Sequence, residues 1–120
     1  MQNRQIGRLT RRPEFLAAAR GRKAGGKTVG LQGLRRRPTD SDDVRLGFTC
    51  SKKVGNAVAR NRAKRRLRAA AARLAPELAL PGCDYVLIGR PATVECAFDI
   101  LLADMTRAFK DVAKKLEPAK

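Results

Sequence analysis

The chain has 120 residues, with 27 Lys and Arg against 11 Asp and Glu, and its formal net charge is +16. This length predicts a single domain over residues 1–120, with a basic N-terminal extension over about residues 1–9, and the 43% hydrophobic content excludes a disordered chain. No apolar run approaches the roughly 20 residues that cross a bilayer, and none follows the basic N-terminus, so we expect a cytoplasmic protein without membrane contact.

The N-terminal third of the chain predicts a short helix and then a hairpin. Residues 13–19 form the candidate helix, with a proline in its first turn and Thr10 as a candidate N-cap. Residues 28–34 and 44–50 have strand-forming composition and are separated by turn-forming residues. The Gly-rich stretch over residues 22–27 predicts a loop or a short edge strand.

The rest of the chain predicts a helix, a buried strand and a second helix. The first helix spans residues 58–74, and residues 76–81 interrupt the pattern. Residues 83–89 form a nearly continuous apolar run, typical of a strand covered on both faces. The apolar spacing over residues 98–116 predicts an amphipathic helix.

The helix over residues 58–74 contains one residue that breaks its pattern. Its core-facing stripe comprises Ala59, Ala63, Leu67, Ala70, Ala71 and Leu74. Arg60 falls inside this stripe, so its guanidinium is expected to be either paired at a domain edge or held for a ligand.

The order of these elements predicts the fold class. A strand, a helix and a strand in succession imply a parallel pair joined by a crossover helix. The class is therefore α+β, with one sheet and with helices mostly on one of its faces. The chain shows no internal repeat, which agrees with a single domain.

The lack of histidine and the few cysteines limit the chemistry. The chain has no His, which removes Ser-His and Cys-His catalytic arrangements and the usual histidine metal sites. Cys50, Cys83 and Cys96 cannot all pair, and their spacing matches no zinc pattern. We expect small, buried or half-buried thiols in a reducing compartment, and we predict no catalytic residue, no protein metal site and no organic cofactor.

The positive charge is concentrated in two blocks. Residues 1–37 hold 11 basic residues and one acidic residue, and residues 51–68 hold eight basic residues and no acidic one. Charge that serves only solubility would be scattered. The two blocks therefore predict one continuous basic face and a polyanionic partner, with nucleic acid as the first candidate. The arginine run over residues 35–37 is interpreted as solvated charge at a strand end.

The second basic block follows a strand and enters the clearest helix. Gly55 lets the backbone turn or approach a partner closely, and Asn56 is a candidate N-cap. The free N–H groups of a helix N-terminus and the guanidinium groups that follow suit phosphate. Residues 60–68 carry six positive charges and no acidic residue to pair with them, which favours nucleic-acid binding over a solvated surface.

Residues 51–68 resemble the signature of the bacterial ribonuclease P protein subunit. Ser51 to Val58 match the Ser-Lys-Lys-x-Gly-Asn-Ala-Val turn of that family, and Arg60-Asn61-Arg62 match its helix motif. Further segments that resemble the family are Arg8-Leu9, Glu14-Phe15, Arg45-Leu46-Gly47 and the run from Asp84 to Pro91. The resemblance covers about residues 8–116.

This resemblance implies a fold, and it implies separate roles for the protein and for an RNA subunit. The implied fold is a four-stranded mixed sheet with three helices in the order αβββαβα, similar to the second domain of a small-subunit ribosomal protein. Its crossover through the Arg-Asn-Arg helix is left-handed, whereas the general rule predicts a right-handed one. An RNA subunit with Mg²⁺ would hydrolyse the phosphodiester joining the 5′ leader to precursor tRNA, and the protein would bind both RNAs, in a 1:1 complex with the RNA subunit.

The same resemblance implies two sets of binding residues. Those expected to contact the catalytic RNA are Lys52, Lys53, Gly55, Asn56, Arg60, Asn61, Arg62, Lys64, Arg65, Arg66 and Arg68. Those expected to line a leader-binding cleft between the first helix and the sheet are Phe15, Gln32, Phe48, Arg60 and Asn61.

Phe15 is the candidate base-stacking platform of that cleft, and its alternative role is to anchor its short helix in the core. Two positions that are aromatic in the family are Ala19 and Gln32 here, which leaves Phe48 as the nearest substitute. Leader affinity is therefore expected to rest more on charge than on stacking, with a steep dependence on salt.

Three other functions compete with this interpretation. A ribosomal or other rRNA-binding structural protein would show similar charge, and the match over residues 51–68 separates the two. A DNA-binding module with residues 58–74 as its recognition helix would need a preceding helix at helix-turn-helix spacing, which is missing. A self-sufficient nuclease would need catalytic side chains that the sequence lacks.

Overall fold

The computed structural model describes residues 6–37 and 41–116, which form a five-stranded sheet and three helices. The strands are β1 (Ile6–Arg8), β2 (Arg22–Gly25), β3 (Val29–Arg35), β4 (Val44–Cys50) and β5 (Cys83–Gly89), and the helices are α1 (Arg12–Ala19), α2 (Ala57–Leu78) and α3 (Phe98–Leu116). Within these residues, no helix combines the length and apolar character needed to cross a membrane.

The sheet is mixed, and its strand order is β1-β4-β5-β3-β2. β4 pairs in parallel with both β1 and β5, and α2 makes the crossover from β4 to β5. β3 pairs antiparallel with β5 and with β2. The predicted α+β class and the parallel pair with its crossover helix are confirmed.

The sheet has one strand more than expected, so the element order is βαβββαβα rather than αβββαβα. The additional strand, β1, lies in the segment predicted to be an N-terminal extension. Its three residues are too few to show an alternating pattern, and it is held by pairing with β4, which no local signal reveals. β2 confirms the edge-strand alternative for residues 22–27.

α1 begins without the predicted cap. The N-cap position is Arg11 rather than Thr10. Glu14 Oε1 accepts hydrogen bonds from the backbone N–H groups of Arg11 and Thr10 at 3.0 and 3.1 Å. These two bonds are the main reason that the pKa of Glu14 lies below its ordinary value.

α2 starts as predicted and ends later. Asn56 Oδ1 accepts a hydrogen bond from the N–H of Ala59 at 2.9 Å, which confirms the N-cap. The helix continues through Pro76 to Leu78, so the break expected at residues 76–81 was placed too early. Pro76 has no N–H, so the carbonyl of Ala72 loses its hydrogen bond within the helix. Ala72 is exposed.

The two faces of the sheet carry different cores, and the helices lie mostly on one face, as predicted. α2 and α3 pack on one face against buried residues such as Leu31 and Leu87. On this face the rings of Tyr85 and Phe109 meet edge to face with centroids 5.1 Å apart. Burial raises the pKa of Tyr85 to about 12, and its hydroxyl accepts a hydrogen bond from Leu80 N–H at 2.9 Å.

The opposite face of the sheet, called the α1 face below, is covered by α1 through a smaller cluster. The members of this cluster are Leu9, Phe15, Ala18, Val86 and Ile88. Among the described residues, the helix on this face is only eight residues long.

The three cysteines are free thiols, as predicted. Cys83 is buried, and Cys50 and Cys96 are half-buried. Burial raises the pKa of the Cys83 thiol above its ordinary value.

A buried polar network ties α3 to β3 and to the turn after β5. The N–H and hydroxyl of Thr28 donate to Asp104 Oδ2 at 3.2 and 2.7 Å, and Arg107 donates to the other carboxylate oxygen. The hydroxyl of Thr93 donates to the carbonyl of Thr28. The same hydroxyl accepts a hydrogen bond from Arg90 N–H at 2.8 Å.

Asp104→Asn is expected to lower the free energy of unfolding by about 2 kcal/mol at pH 7, because it removes charge-assisted hydrogen bonds. The hydrogen bond from the Thr28 hydroxyl, followed by that from its N–H and by the Arg107 charge, lowers the pKa of Asp104, although burial opposes this. The contribution of the ionised carboxylate is therefore present above about pH 4 and is lost as the pH falls through the lower folded-state pKa.

Urea unfolding at pH 7 and at pH 3 tests this expectation. The stability difference between wild type and Asp104→Asn should shrink at pH 3. Asp111→Asn, which changes an exposed carboxylate on the same helix, is the control and should differ little from wild type at either pH. An undiminished difference at pH 3 would show that the amide disrupts packing rather than removing a charge.

Candidate nucleic-acid interface

The turn that leads from β4 into α2 is determined by local geometry. Ser51 Oγ accepts a hydrogen bond from Lys53 N–H at 3.2 Å, and the side chains of Lys52 and Lys53 are exposed. Gly55 has a φ of 142°, and a Cβ there would lie 2.9 Å from Ala59 Cβ. Glycine is therefore required by the turn itself. Gly55 and Asn56 thus shape the segment that presents the two lysines.

One side of α2 faces the end of β4 and carries cations that form no ion pair with any residue in the described ranges. Burial raises the pKa of the Cys50 thiol at the end of β4, and the nearby charges of Lys64 and Arg60 oppose this rise. Arg68 lies on the same side, with its guanidinium carbon 5.7 Å from the centroid of the Phe48 ring. The polar side chains on this side and on the adjoining solvent face are Arg60, Asn61, Lys64, Arg65 and Arg68.

Arg60 is half-buried at this edge and forms no ion pair with any residue in the described ranges. Of the two roles expected for a guanidinium in the apolar stripe, pairing at a domain edge therefore finds no support among these residues. The position of Arg60 at the end of β4 fits a cation held for a ligand.

Arg62 and Arg66 lie on the other side of α2 and bind the chain itself. Arg62 Nε donates to the carbonyl of Val94 at 2.8 Å, and Arg66 donates to the carbonyl of Cys96. The guanidinium carbon of Arg66 also lies 5.9 Å from the ring centroid of Phe98. These contacts fasten the segment before α3 to α2. The structure therefore separates these two arginines from the other cations of the basic block.

The α1 face of the sheet carries the second set of predicted residues. Phe15 is half-buried, and its ring lies so close to Gly47 that a Cβ there would be 2.7 Å from a ring carbon. Gln32 pairs in register with Val86, so it lies on the same face as the α1 cluster. Lys23 of β2 pairs in register with Gln32 and adds an exposed cation that the sequence reasoning had not singled out.

Phe48 does not lie in this cleft. Successive residues of a strand point to opposite faces, and Gly47 points toward α1. Phe48 therefore points toward α2, where it packs against the main core and beneath Arg68. The prediction that Phe48 lines the cleft with Phe15 is wrong. Arg60 and Asn61, expected in the same cleft, lie on α2 at the end of β4.

A buried carboxylate links β5 to β4, to the segment after β3 and, through Arg45, to α1. Asp84 of β5 is 3% exposed and accepts hydrogen bonds from Arg45 Nε and Nη2 at 2.7 and 2.6 Å. Arg36 Nη1 donates to the same carboxylate at 2.6 Å, and Arg45 Nη1 lies 3.0 Å from Glu14 Oε2 on α1. The interpretation of residues 35–37 as solvated charge is therefore wrong for Arg36, whereas Arg35 and Arg37 are exposed.

Gly47→Ala is expected to lower the free energy of unfolding by about 1–3 kcal/mol, because its methyl group would overlap the Phe15 ring. Gly7→Ala is the matched control, since a Cβ at Gly7 meets only Arg45 Cγ at 3.9 Å. Urea unfolding measures both changes. Equal and small effects would contradict the close approach of Phe15 to β4.

Together, the fold and these contacts define a class of protein. It is a small, basic α+β domain in which the turn after β4 and one side of α2 carry a cluster of cations that form no ion pair with any described residue. Within residues 6–37 and 41–116, no group of three or more His, Cys, Asp or Glu side chains is placed to hold a metal ion.

The chain is similar to one named family along nearly its whole length. The Ribonuclease P family model matches residues 4–113. The chain is 53% identical over 103 residues to the ribonuclease P protein component of Ruegeria pomeroyi, covering 85% of this chain and 82% of that protein. It is 47% identical over 111 residues to the protein of the same name from Paramagnetospirillum magneticum, covering 90% and 84%. The chain therefore belongs to the ribonuclease P protein family.

Solved structures show the same fold. The RNase P protein of Staphylococcus aureus superposes with a TM-score of 0.69 and 25% identity, over 92% of this chain and 97% of that one. The RNase P protein of Thermotoga maritima gives a TM-score of 0.68 with 22% identity, over 92% and 98%.

Proposed function

We propose that the protein is the RNA-binding component of ribonuclease P, and that it assists a catalytic RNA subunit in removing the 5′ leader from precursor tRNA. The observation that carries this proposal is the set of unpaired cations around the end of β4, in a chain that belongs to this family. The residues assigned to the catalytic RNA are Lys52, Lys53, Arg60, Asn61, Lys64, Arg65 and Arg68.

The leader is assigned to the α1 face of the sheet. Phe15 and Gln32 are half-buried on this face, and Lys23, the register partner of Gln32, is exposed. An aromatic ring stacks on any base, and a nearby cation attracts the backbone phosphates. This combination suits a single strand of variable sequence.

Hydrolysis is assigned to the RNA subunit with Mg²⁺. The described residues offer no cluster of ligands for the ion, so it would be held mainly by RNA. The protein would neutralise phosphates that otherwise repel one another and thereby lower the Mg²⁺ concentration that the RNA requires. We place this 1:1 complex with the RNA subunit in the cytoplasm.

Leader release at low Mg²⁺ tests the proposal. The protein is mixed with a bacterial ribonuclease P RNA and a precursor tRNA, and the 5′ leader should be released faster than with the RNA alone. Polylysine at equal charge is the control for bulk neutralisation. Binding to RNA without stimulation would overturn the proposal in favour of a structural rRNA-binding protein.

A further inference from the structure

The first basic block of the sequence continues on the edge strand β2, where only Lys23 has been assigned to RNA. Residues 20–27 hold four basic residues and no acidic one. β2 is the outermost of the described strands at its end of the sheet, and Arg22 and Lys23 are both exposed. Successive residues of a strand point to opposite faces. These two cations therefore lie on opposite faces of the sheet, beside the same edge.

Lys23 ends a row of residues that crosses the α1 face. The row consists of register partners on β4, β5, β3 and β2, namely Gly47, Val86, Gln32 and Lys23. Phe15 lies over Gly47, at the other end of the row. The row spans three strand spacings, about 14 Å, which is the length of about four stacked nucleotides. A leader that contacts both Phe15 and Lys23 therefore crosses the strands and reaches the β2 edge.

The position of the catalytic RNA determines which end of the leader reaches this edge. The residues assigned to that RNA lie on α2 and on the turn after β4, and Phe15 lies over Gly47 of β4. The 3′ end of the leader joins the tRNA at the bond that the catalytic RNA hydrolyses, so this end lies nearest to β4. The 5′ part of the leader therefore leaves the α1 face across β2.

Beyond the β2 edge, two arginines face the last turn of α3. Arg22 pairs in register with Gly33, which faces α3, so Arg22 lies on the α3 side of the sheet. Arg35 follows Gly33 by two residues on β3 and has the same direction. Its Nη2 donates to the carbonyl of Leu116 at 3.4 Å. The two guanidinium groups are thus neighbours at the end of α3.

Lys115 adds an ammonium group on the open edge itself. Gly26 N–H donates to the carbonyl of Val29 at 2.9 Å, and bonded pairs alternate with non-bonded pairs in an antiparallel ladder, so the backbone groups of Lys23 point away from β3. Lys115 Nζ donates to the outward carbonyl of Lys23 at 2.6 Å. An ammonium group has three N–H donors. This contact therefore fixes the cation and leaves donors for a phosphate.

None of these three cations forms an ion pair with a described residue. Cations near a helix C-terminus stabilise the helix dipole, and the contact of Arg35 with the Leu116 carbonyl serves that purpose. Arg22 is exposed, and its side chain donates no hydrogen bond within residues 6–37 and 41–116, so the dipole does not explain its position. The surface is therefore available to an anion.

We propose that Arg22, Arg35 and Lys115 form a second leader-binding surface, which binds backbone phosphates in the 5′ part of a leader that has crossed the α1 face. The inference rests on the proposed leader binding and extends it to the other side of the sheet. Guanidinium and ammonium groups attract phosphates irrespective of the bases. The surface therefore favours long leaders over short ones without selecting their sequence.

Precursor tRNAs whose leaders lengthen by one nucleotide at a time test this surface. Binding to the wild-type protein–RNA complex should strengthen twice, first when the leader covers Phe15 and again about four nucleotides later. Arg22→Ala with Lys115→Ala should abolish the second increase and weaken binding of long leaders about tenfold at about 0.1 M salt. Its affinity for short leaders should stay that of wild type, which also shows that the variant folds.

Two further double variants separate this surface from other effects of charge. Arg22→Lys with Lys115→Arg keeps both charges and should keep the second increase. Arg8→Ala with Lys110→Ala is the matched control, because it removes one arginine from the opposite edge strand and one exposed lysine from α3. This control should also keep the second increase.

The proposal is overturned if wild type shows a single increase, or if Arg22→Ala with Lys115→Ala binds long leaders as wild type does. An equal loss for long and short leaders would overturn it as well, because the two cations would then act through the catalytic RNA or through bulk charge. If the wild-type complex binds no precursor tRNA more tightly than mature tRNA, the proposed leader binding itself is wrong.

Discussion

Asp84→Asn is expected to lower the free energy of unfolding by about 3–5 kcal/mol. The carboxylate is buried and receives three hydrogen bonds from Arg36 and Arg45. The substitution leaves two partly buried guanidinium groups without their shared counter-charge. It also loosens the link through which Arg45 holds Glu14 on α1. For a domain of ordinary stability, a loss of about 3–5 kcal/mol is a large fraction of the total free energy of unfolding.

Urea unfolding followed by circular dichroism measures the change. Asp111→Asn removes one exposed carboxylate from α3 and should shift stability by less than about 0.5 kcal/mol. An Asp84→Asn protein that does not fold, beside a folded Asp111→Asn protein, agrees with the prediction. A loss below about 1 kcal/mol would contradict the prediction and show that the other acceptors of the two arginines, Glu14 and the Asp43 carbonyl among them, suffice without the Asp84 charge.

The double substitution Arg60→Ala with Arg65→Ala is expected to weaken binding to the catalytic RNA by about 10- to 100-fold at 0.1 M salt. Both residues project from the side of α2 that carries the unpaired cations. Each phosphate contact that is lost should reduce the slope of log affinity against log salt by about 0.9. A titration over several salt concentrations measures the affinity and the slope together.

Lys110→Ala with Lys114→Ala removes the same amount of charge from exposed positions on α3. This control should bind the RNA within about threefold of wild type. Arg107→Ala, also on α3, should likewise have less effect than either single change at Arg60 or Arg65. Equal losses in the two double variants would mean that the net charge acts in bulk and that α2 has no special role.

The sequence predicted most elements because their signals are local. β4 and β5 match residues 44–50 and 83–89 along their whole lengths, and α3 matches residues 98–116. The cap at Asn56 depends on contacts within four residues. The local apolar spacing and the capping residue were enough for these features.

The features that were missed depend on partners distant in sequence. β1 forms by pairing with β4, and Arg66 donates to the carbonyl of Cys96, 30 residues away in sequence. Phe48 shares the parity of Val44 and Leu46, so alternation already groups it with the core-facing side chains of β4, and the assignment to the cleft overlooked this signal.

β1 also has a consequence for the free protein. It is an edge strand of three residues, and among the described strands it pairs with β4 alone. Its outer edge offers very few backbone groups to another chain, and the exposed charge of Arg8 stands beside them. Short edges that carry charge resist strand addition and aggregation. The net charge of +16 adds repulsion between copies of the chain, so both features oppose self-association.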